Sequence, residues 1–294
     1  MDPLTRACQE YDAYLREGGE PVDLKALGFT TVSERTKTRK LHPSSLGPGL
    51  CDRRACYNVM ADVGEIEKDV PETPEDNLGH RIGFIFQDFI AQALAYKGAL
   101  LGMEISVGNE EWTGRVDLLV DAARLDSRSK GRWLVDVKTV KGYTVDDRYP
   151  KEYHIAQVEK YVSLLDQDVA PVLFYVTRID FQTAFYRWDW DGRDCVLKTH
   201  EPGIVKTIYG LNDGITASEI TQLAWLADGT LPERPFATPT DSFMCSNYQK
   251  GGYNKGRYKV SCPFFARCWE RALPEGLVFD KGDVDSGDDP YLPF

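Results

Sequence analysis

No apolar run in this 294-residue chain approaches the roughly 20 residues that a membrane-crossing helix needs. Residues 1–14 are too polar for a secretory signal, so a soluble, cytoplasmic protein with no membrane partner is expected. Positive charge is in deficit: 46 Asp and Glu outnumber 35 Lys and Arg, for a net charge of -11. That sum argues against a uniformly basic phosphate-binding surface, but not against local ones. Acidic residues crowd 62–76 and 275–289, whereas basic ones gather at Arg35, Lys37, Arg39 and Lys40 and again at Lys250, Lys255, Arg257 and Lys259. The seven cysteines are odd in number and lack the spacing of a compact secreted framework. They point to a reducing compartment and to metal or cluster ligation rather than disulfides. There is no internal repeat, and a 42% hydrophobic share supports a real core.

Pattern and breakers predict a short helix over 6–16, then a serine-capped helix start at Pro43-Ser44-Ser45-Leu46. A polar, proline-bearing linker covers 62–77. Ile82, Phe86, Phe89, Ile90, Ala93 and Leu94 recur at helical spacing, predicting a long amphipathic helix over 78–96 that stops at Gly98. Strands are predicted at 101–107, 112–121 and 132–140, a helix at 149–165, and strands at 171–177 and 181–188. Helices are predicted at 195–209 and 217–226, followed by a proline-rich loop, a cysteine-rich segment and a polar tail. Helix, three strands, helix and two strands imply an α/β fold with helices packed on a mixed sheet.

Two of those strands carry charge where aliphatics are expected. Asp117 closes Gly114-Arg115-Val116-Asp117 within an apolar run, and Asp136 and Lys138 sit in another, 133–140. Burying charge is costly unless something compensates it. Residues two apart in a strand share a face, so Asp136 and Lys138 point the same way. A divalent cation between Asp117 and Asp136 would compensate both carboxylates. On the following helix Gln157 and Tyr161 are four apart and share a face.

These motifs resemble the PD-(D/E)XK nucleases, in the RecB-like branch that carries a carboxy-terminal iron-sulphur cluster, near the AddB nuclease domain and the CRISPR-associated exonucleases of the Cas family numbered four. The resemblance spans about residues 42–270. It implies a restriction-endonuclease-like core at 78–190, a helical region at 1–77 giving one cluster cysteine, a helical and cysteine-rich region at 191–272, and an acidic flexible tail at 273–294. It implies that Asp117, Asp136 and the Val137 carbonyl bind Mg2+ or Mn2+ and that Lys138 activates water and stabilises phosphorane charge. It implies further that Gln157 steadies the site and Tyr161 contacts the DNA strand. The branch's G-x-x-x-H pattern meets Gln87 in place of histidine after Gly83, while His80 precedes Gln87 by seven residues, about two turns. Either side chain is a candidate ligand. Glu104, on the strand before Asp117, is either a further group that approaches the metal or, the reading preferred, a solvated strand-end glutamate.

Cys51 upstream and Cys245, Cys262 and Cys268 downstream resemble the four-thiolate [4Fe-4S] site of that branch, with zinc as the alternative. Cys56 is a rival ligand; Cys8 and Cys195 read as ordinary thiols. Sixteen residues separate Cys245 from Cys262, and their lysines, arginine and tyrosines suit single-strand contacts. The acidic end Asp288-Asp289-Pro290-Tyr291-Leu292-Pro293-Phe294 suggests a protein-docking tail, a self-competing one or a merely solubilising end. The function expected is a DNA exonuclease of recombination, repair or phage DNA metabolism, in a bacterial host's cytoplasm if phage-encoded. The alternatives are a catalytically weakened DNA-binding protein or an endonuclease of the same superfamily. Anaerobically purified protein is expected to be brown with the broad visible absorption of an iron-sulphur centre. A colourless, iron-free, folded sample contradicts the cysteine reading.

Overall fold

The computed structural model describes residues 1–29, 38–69, 74–140, 149–199, 204–234, 246–248, 258–260, 262–269 and 278–279. They form a mixed α/β structure of two compact units, one of residues 1–36, 42–49 and 82–220 and one of 37–41, 50–81 and 221–294.

The larger unit is built on seven strands in the order of the chain: β1 (Leu100–Gly108), β2 (Thr113–Asp121), β3 (Arg132–Val140), β4 (Val169–Thr177), β5 (Thr183–Asp191), β6 (Asp194–Lys198) and β7 (Ile204–Ile208). All neighbours are antiparallel except β3 and β4. A parallel pair needs a crossover, and the helix Glu152–Leu165 supplies it. With α1 (Pro3–Arg16), α2 (Asp52–Asp62), α3 (Pro74–Tyr96) and α4 (Ala122–Leu125) preceding it, that helix is α5. Asp2 caps α1 by accepting the Thr5 N–H at 2.9 Å.

One face of the sheet buries Leu118, Val135, Val172 and Phe174 against Leu4 of α1 and Phe86, Ile90 and Leu94 of α3. On α5, Ile155, Ala156, Val158 and Tyr161 are buried. Tryptophan 133 to Asp136 are buried without alternation, as expected of a strand covered on both faces.

The sheet is wider than the sequence pattern suggested. The helix expected over 195–209 is instead β6 and β7. A turn at Gly192, with φ of 60°, reverses the chain after β5, and Cys195 and Leu197 are buried while Val196 is not, a period of two. Pro43–Ser45 is a single 3-10 turn rather than a helix start. Helix α3 begins at Pro74, inside the expected linker, and Gly98 follows its end with φ of 64°.

The smaller unit holds α2 and α7, where α6 is Leu211–Asp228, which spans the division, and α7 is Phe265–Trp269. Tyr57 packs there with Cys262, Phe264, Phe265, Cys268 and Trp269. Three short strands, β8 (Ser246–Tyr248), β9 (Tyr258–Val260) and β10 (Val278–Phe279), pair in the order β10-β9-β8. Val278 and Phe279 thus form a strand within 273–294; residues 280–294 lie outside the described ones.

Gly114 shows how α5 is seated on β2. A Cβ there would lie 2.6 Å from Tyr161 Cε1 and 3.2 Å from Pro43 Cδ, so only glycine lets the tyrosine ring lie on the strand. Gly114→Ala is expected to cost about 1–3 kcal/mol in urea denaturation through this overpacking. Unchanged stability contradicts the close approach.

Candidate functional site

Strand register gathers the acidic residues. Continuing the pairing of Leu118 with Val135 by one residue sets Asp117 of β2 opposite Asp136 of β3. Between the pairs Met103 with Leu118 and Ile105 with Val116, Glu104 of β1 stands opposite Asp117. Three carboxylates therefore occupy one row across three strands. The regular β2–β3 pairing ends just before this row, and the Val137 N–H donates to Asp117 Oδ2 at 2.8 Å. For Val137 the observed contact is thus through its amide.

Asp136 is 1% exposed, and Lys138 brings its ammonium to 2.8 Å from Asp136 Oδ2. Lys138 Nζ also donates to Gln157 Oε1 at 3.0 Å. Gln157 Nε2 donates to Tyr161 OH at 3.0 Å and to Asp136 Oδ1 at a longer 3.4 Å. The amide, buried on α5, thus ties lysine, carboxylate and phenol together. Lys138 keeps 21% of its side chain exposed, so it is neither sealed off nor in bulk water.

Both aspartates resist ionisation. Burial pushes Asp117 up from 3.8 to about 8, with the Asp136 charge adding to the effect and Lys138 and the Val137 amide opposing it. Burial likewise raises Asp136, against the pull of Lys138. Paired buried carboxylates are hard oxygen donors of the kind that suits Mg2+ or Mn2+, and Mg2+ commonly takes only one or two carboxylates and keeps several waters. Among the described residues no three His, Cys, Asp or Glu side chains stand close enough together to hold an ion. This holds for the carboxylate row, where Glu104 is committed to Arg115 and Gln87, and equally for Cys51, Cys262 and Cys268.

Glu104 is not the solvated glutamate that its place near a strand end suggested. Its side chain is 6% exposed and pairs with Arg115 Nη1 at 3.1 Å, and it accepts from Gln87 Nε2 at 2.5 Å. Its φ of 49° is left-handed, a strained conformation for this residue type. Gln87 is buried on α3, while His80, two turns earlier, is exposed.

Two further residues escaped the sequence reading. Tyr175 of β4 is the register partner of Lys138, and its hydroxyl meets His154 Nδ1 at 2.7 Å and the Lys151 N–H at 3.2 Å. Burial, with Lys138 and Lys151 nearby, drives His154 well below its usual range and keeps it neutral. His154 lies three residues before Gln157 on α5, a helical-face signal; Tyr175 becomes visible only once register is known.

In the smaller unit Cys51 caps α2, and the amides of Arg54 and Arg53 favour its thiolate, although burial raises its pKa on balance. Cys268 lies close enough to add to that rise, and Arg53 senses both sulfurs. Cys262 and Cys268 share one apolar cluster. Cys56 is buried beside Cys51 and pushed up to about 12, chiefly by burial. Cys245 lies outside the described residues, as do Arg35, Lys37, Lys250, Lys255 and Arg257. Arg39 is ion-paired to Glu65 at 2.6 Å and sits 5.7 Å from the Trp225 ring, and Lys40 is half-buried. Lys259 lies on β9.

No protein-family model and no curated protein matches the sequence. Among solved structures, one described as the crystal structure of SSO0001 is similar over 80% of this chain and 87% of that chain, at 12% identity and a TM-score of 0.37. Among the described residues no helix is long and apolar enough to cross a membrane.

The raised Asp117 value fixes a sign. The folded protein holds a proton that the unfolded chain releases near 3.8, so stability from this group is full below that pH and is lost as pH rises to about 8. Without divalent cation, the wild type is expected to lose thermal stability over that window and Asp117→Asn to lose less, with the two curves diverging toward alkaline pH. Parallel curves contradict the assignment.

Proposed function

We propose that this chain is a metal-dependent deoxyribonuclease with a PD-(D/E)XK core, of the RecB-like branch with a four-cysteine cluster, working as an exonuclease on DNA ends or single strands. The observation that carries the reading is Lys138, held between Asp136 and Gln157 beside the Asp117 carboxylate. Asp117 and Asp136 would hold Mg2+ or Mn2+, which when bound acts as a Lewis acid and lowers the pKa of its water. Lys138 neutralises charge on the attacked phosphate and meets the nucleophilic water, and Gln157 fixes the ammonium in place. Tyr161 braces Gln157. Asp136 and Asp117 share the one Lys138 ammonium, so a further cation would offset the remaining buried charge.

Cys51, Cys245, Cys262 and Cys268 would hold a [4Fe-4S] cluster, a reading supported by the shared apolar cluster of Cys262 and Cys268. Such a cluster would fasten the smaller unit, where binding energy is folding energy.

A second reading, a DNA-binding protein of the same fold with a weakened site, is favoured by Gln87, which spends its amide on Glu104. The decisive assay adds Mg2+ or Mn2+ to end-labelled linear and to circular DNA. Release of end label with intact circles is expected, and Asp117→Ala or Lys138→Ala should lower the rate at least about a hundredfold. Nicked circles indicate an endonuclease; inertness with both metals indicates the binding protein.

A further inference from the structure

Tyr175 is 0% exposed, so its hydroxyl proton must find an acceptor inside the protein. The Lys151 N–H donates to that oxygen at 3.2 Å, which leaves the phenolic O–H to be given away, and His154 Nδ1 lies 2.7 Å off. Among the described residues the hydroxyl has no other partner. His154 Nδ1 is therefore the acceptor. An imidazole that accepts at one nitrogen and is neutral carries its proton on the other, so the bonding assigns the Nε2–H tautomer. Burial first, and then the charges of Lys138 and Lys151, keep the ring from taking a second proton.

The Nε2–H is left over. It has no hydrogen-bond partner among the described residues, and His154 is half-buried rather than sealed. The ring is nevertheless held, edge-on against Tyr153 at 4.5 Å between centroids and tilted against Tyr175 at 5.7 Å. It stands on the face of α5 that carries Gln157, whose Oε1 accepts from Lys138, and its own partner Tyr175 is the register neighbour of Lys138. A merely structural mate for the tyrosine needs one acceptor and nothing more. This one adds a fixed neutral donor beside an ammonium. That combination recognises an oxyanion: Lys138 supplies charge with little direction, and the imidazole supplies direction without a second positive charge.

We propose that His154 donates its Nε2–H to a non-bridging oxygen of the DNA phosphodiester that Lys138 neutralises. This rests on the nuclease reading and adds to it a substrate-contacting residue, with Tyr175 as the positioning residue that sets the tautomer.

Two substitutions separate the ring nitrogens. Asparagine reaches only the Nδ1 position and can still accept from Tyr175, whereas glutamine reaches the Nε2 position and keeps a donor there. Full-length protein is titrated against labelled single-stranded DNA, with Ca2+ in place of Mg2+, and followed by fluorescence anisotropy. His154→Asn is expected to weaken binding about tenfold and His154→Gln to stay within about threefold of wild type, both at unchanged melting temperature. Nitrogen-15 imidazole spectra of the wild type should show His154 as the neutral Nε2–H form, with that proton moving downfield as the DNA is added. The Nδ1–H tautomer, unchanged affinity in His154→Asn, an equal loss in His154→Gln, a parallel fall in melting temperature, or no DNA binding by the wild type overturns the proposal. A wild type that cleaves with Mg2+ while His154→Asn binds and cleaves normally sinks the role of His154 alone. Binding lost in His154→Asn and kept in His154→Gln, with a wild type that never cleaves, sinks the nuclease reading alone.

Discussion

Asp136 is almost wholly removed from water, and everything around the candidate site answers to that fact. An isolated carboxylate in such a place would shed its charge, so the chain must supply compensation. Lys138, two residues on and on the same face of β3, supplies one positive charge at 2.8 Å. One cation is insufficient for two neighbouring carboxylates, and Asp117 pays the difference by holding its proton to about pH 8. A pair of aspartates with a single lysine is therefore one charge short, and on the proposed reading a hard divalent ion supplies it.

The packing serves this arrangement. Gly114 yields its side chain so that the Tyr161 ring can lie on β2. Tyr161 in turn receives Gln157, whose amide reaches both members of the buried ion pair. On the other flank Tyr175 and His154 form a neutral, hydrogen-bonded pair beside the lysine. Glu104 is held back by Arg115 and Gln87, so the third carboxylate of the row is spoken for. The same geometry can thus be read as a site with two acidic ligands rather than three.

Much of the site was legible because charge in an apolar strand is a strong local signal: Asp117, Asp136 and Lys138 stand out without knowledge of the fold. Gln157 and Tyr161 were singled out by the family resemblance, and helical spacing placed them on one face. Glu104 and Tyr175 were not, since their roles come from strand register, which one-dimensional spacing does not encode. The helix expected over 195–209 failed for a related reason. Cys195, Val196 and Leu197 form an apolar run too short to distinguish periods of 2 and 3.6, and the hairpin turn at Gly192 decides the matter. The mixed α/β class was legible from the order of elements, whereas the number of strands was not.

On the proposed reading Asp117 surrenders a proton to make room for a cation. Titration calorimetry with Mg2+ at neutral pH, repeated in buffers of different ionisation enthalpy, counts that proton directly. Binding should release close to one proton in the wild type and none in Asp117→Asn. Absence of Mg2+ and Mn2+ binding, or binding without proton release, would contradict the account.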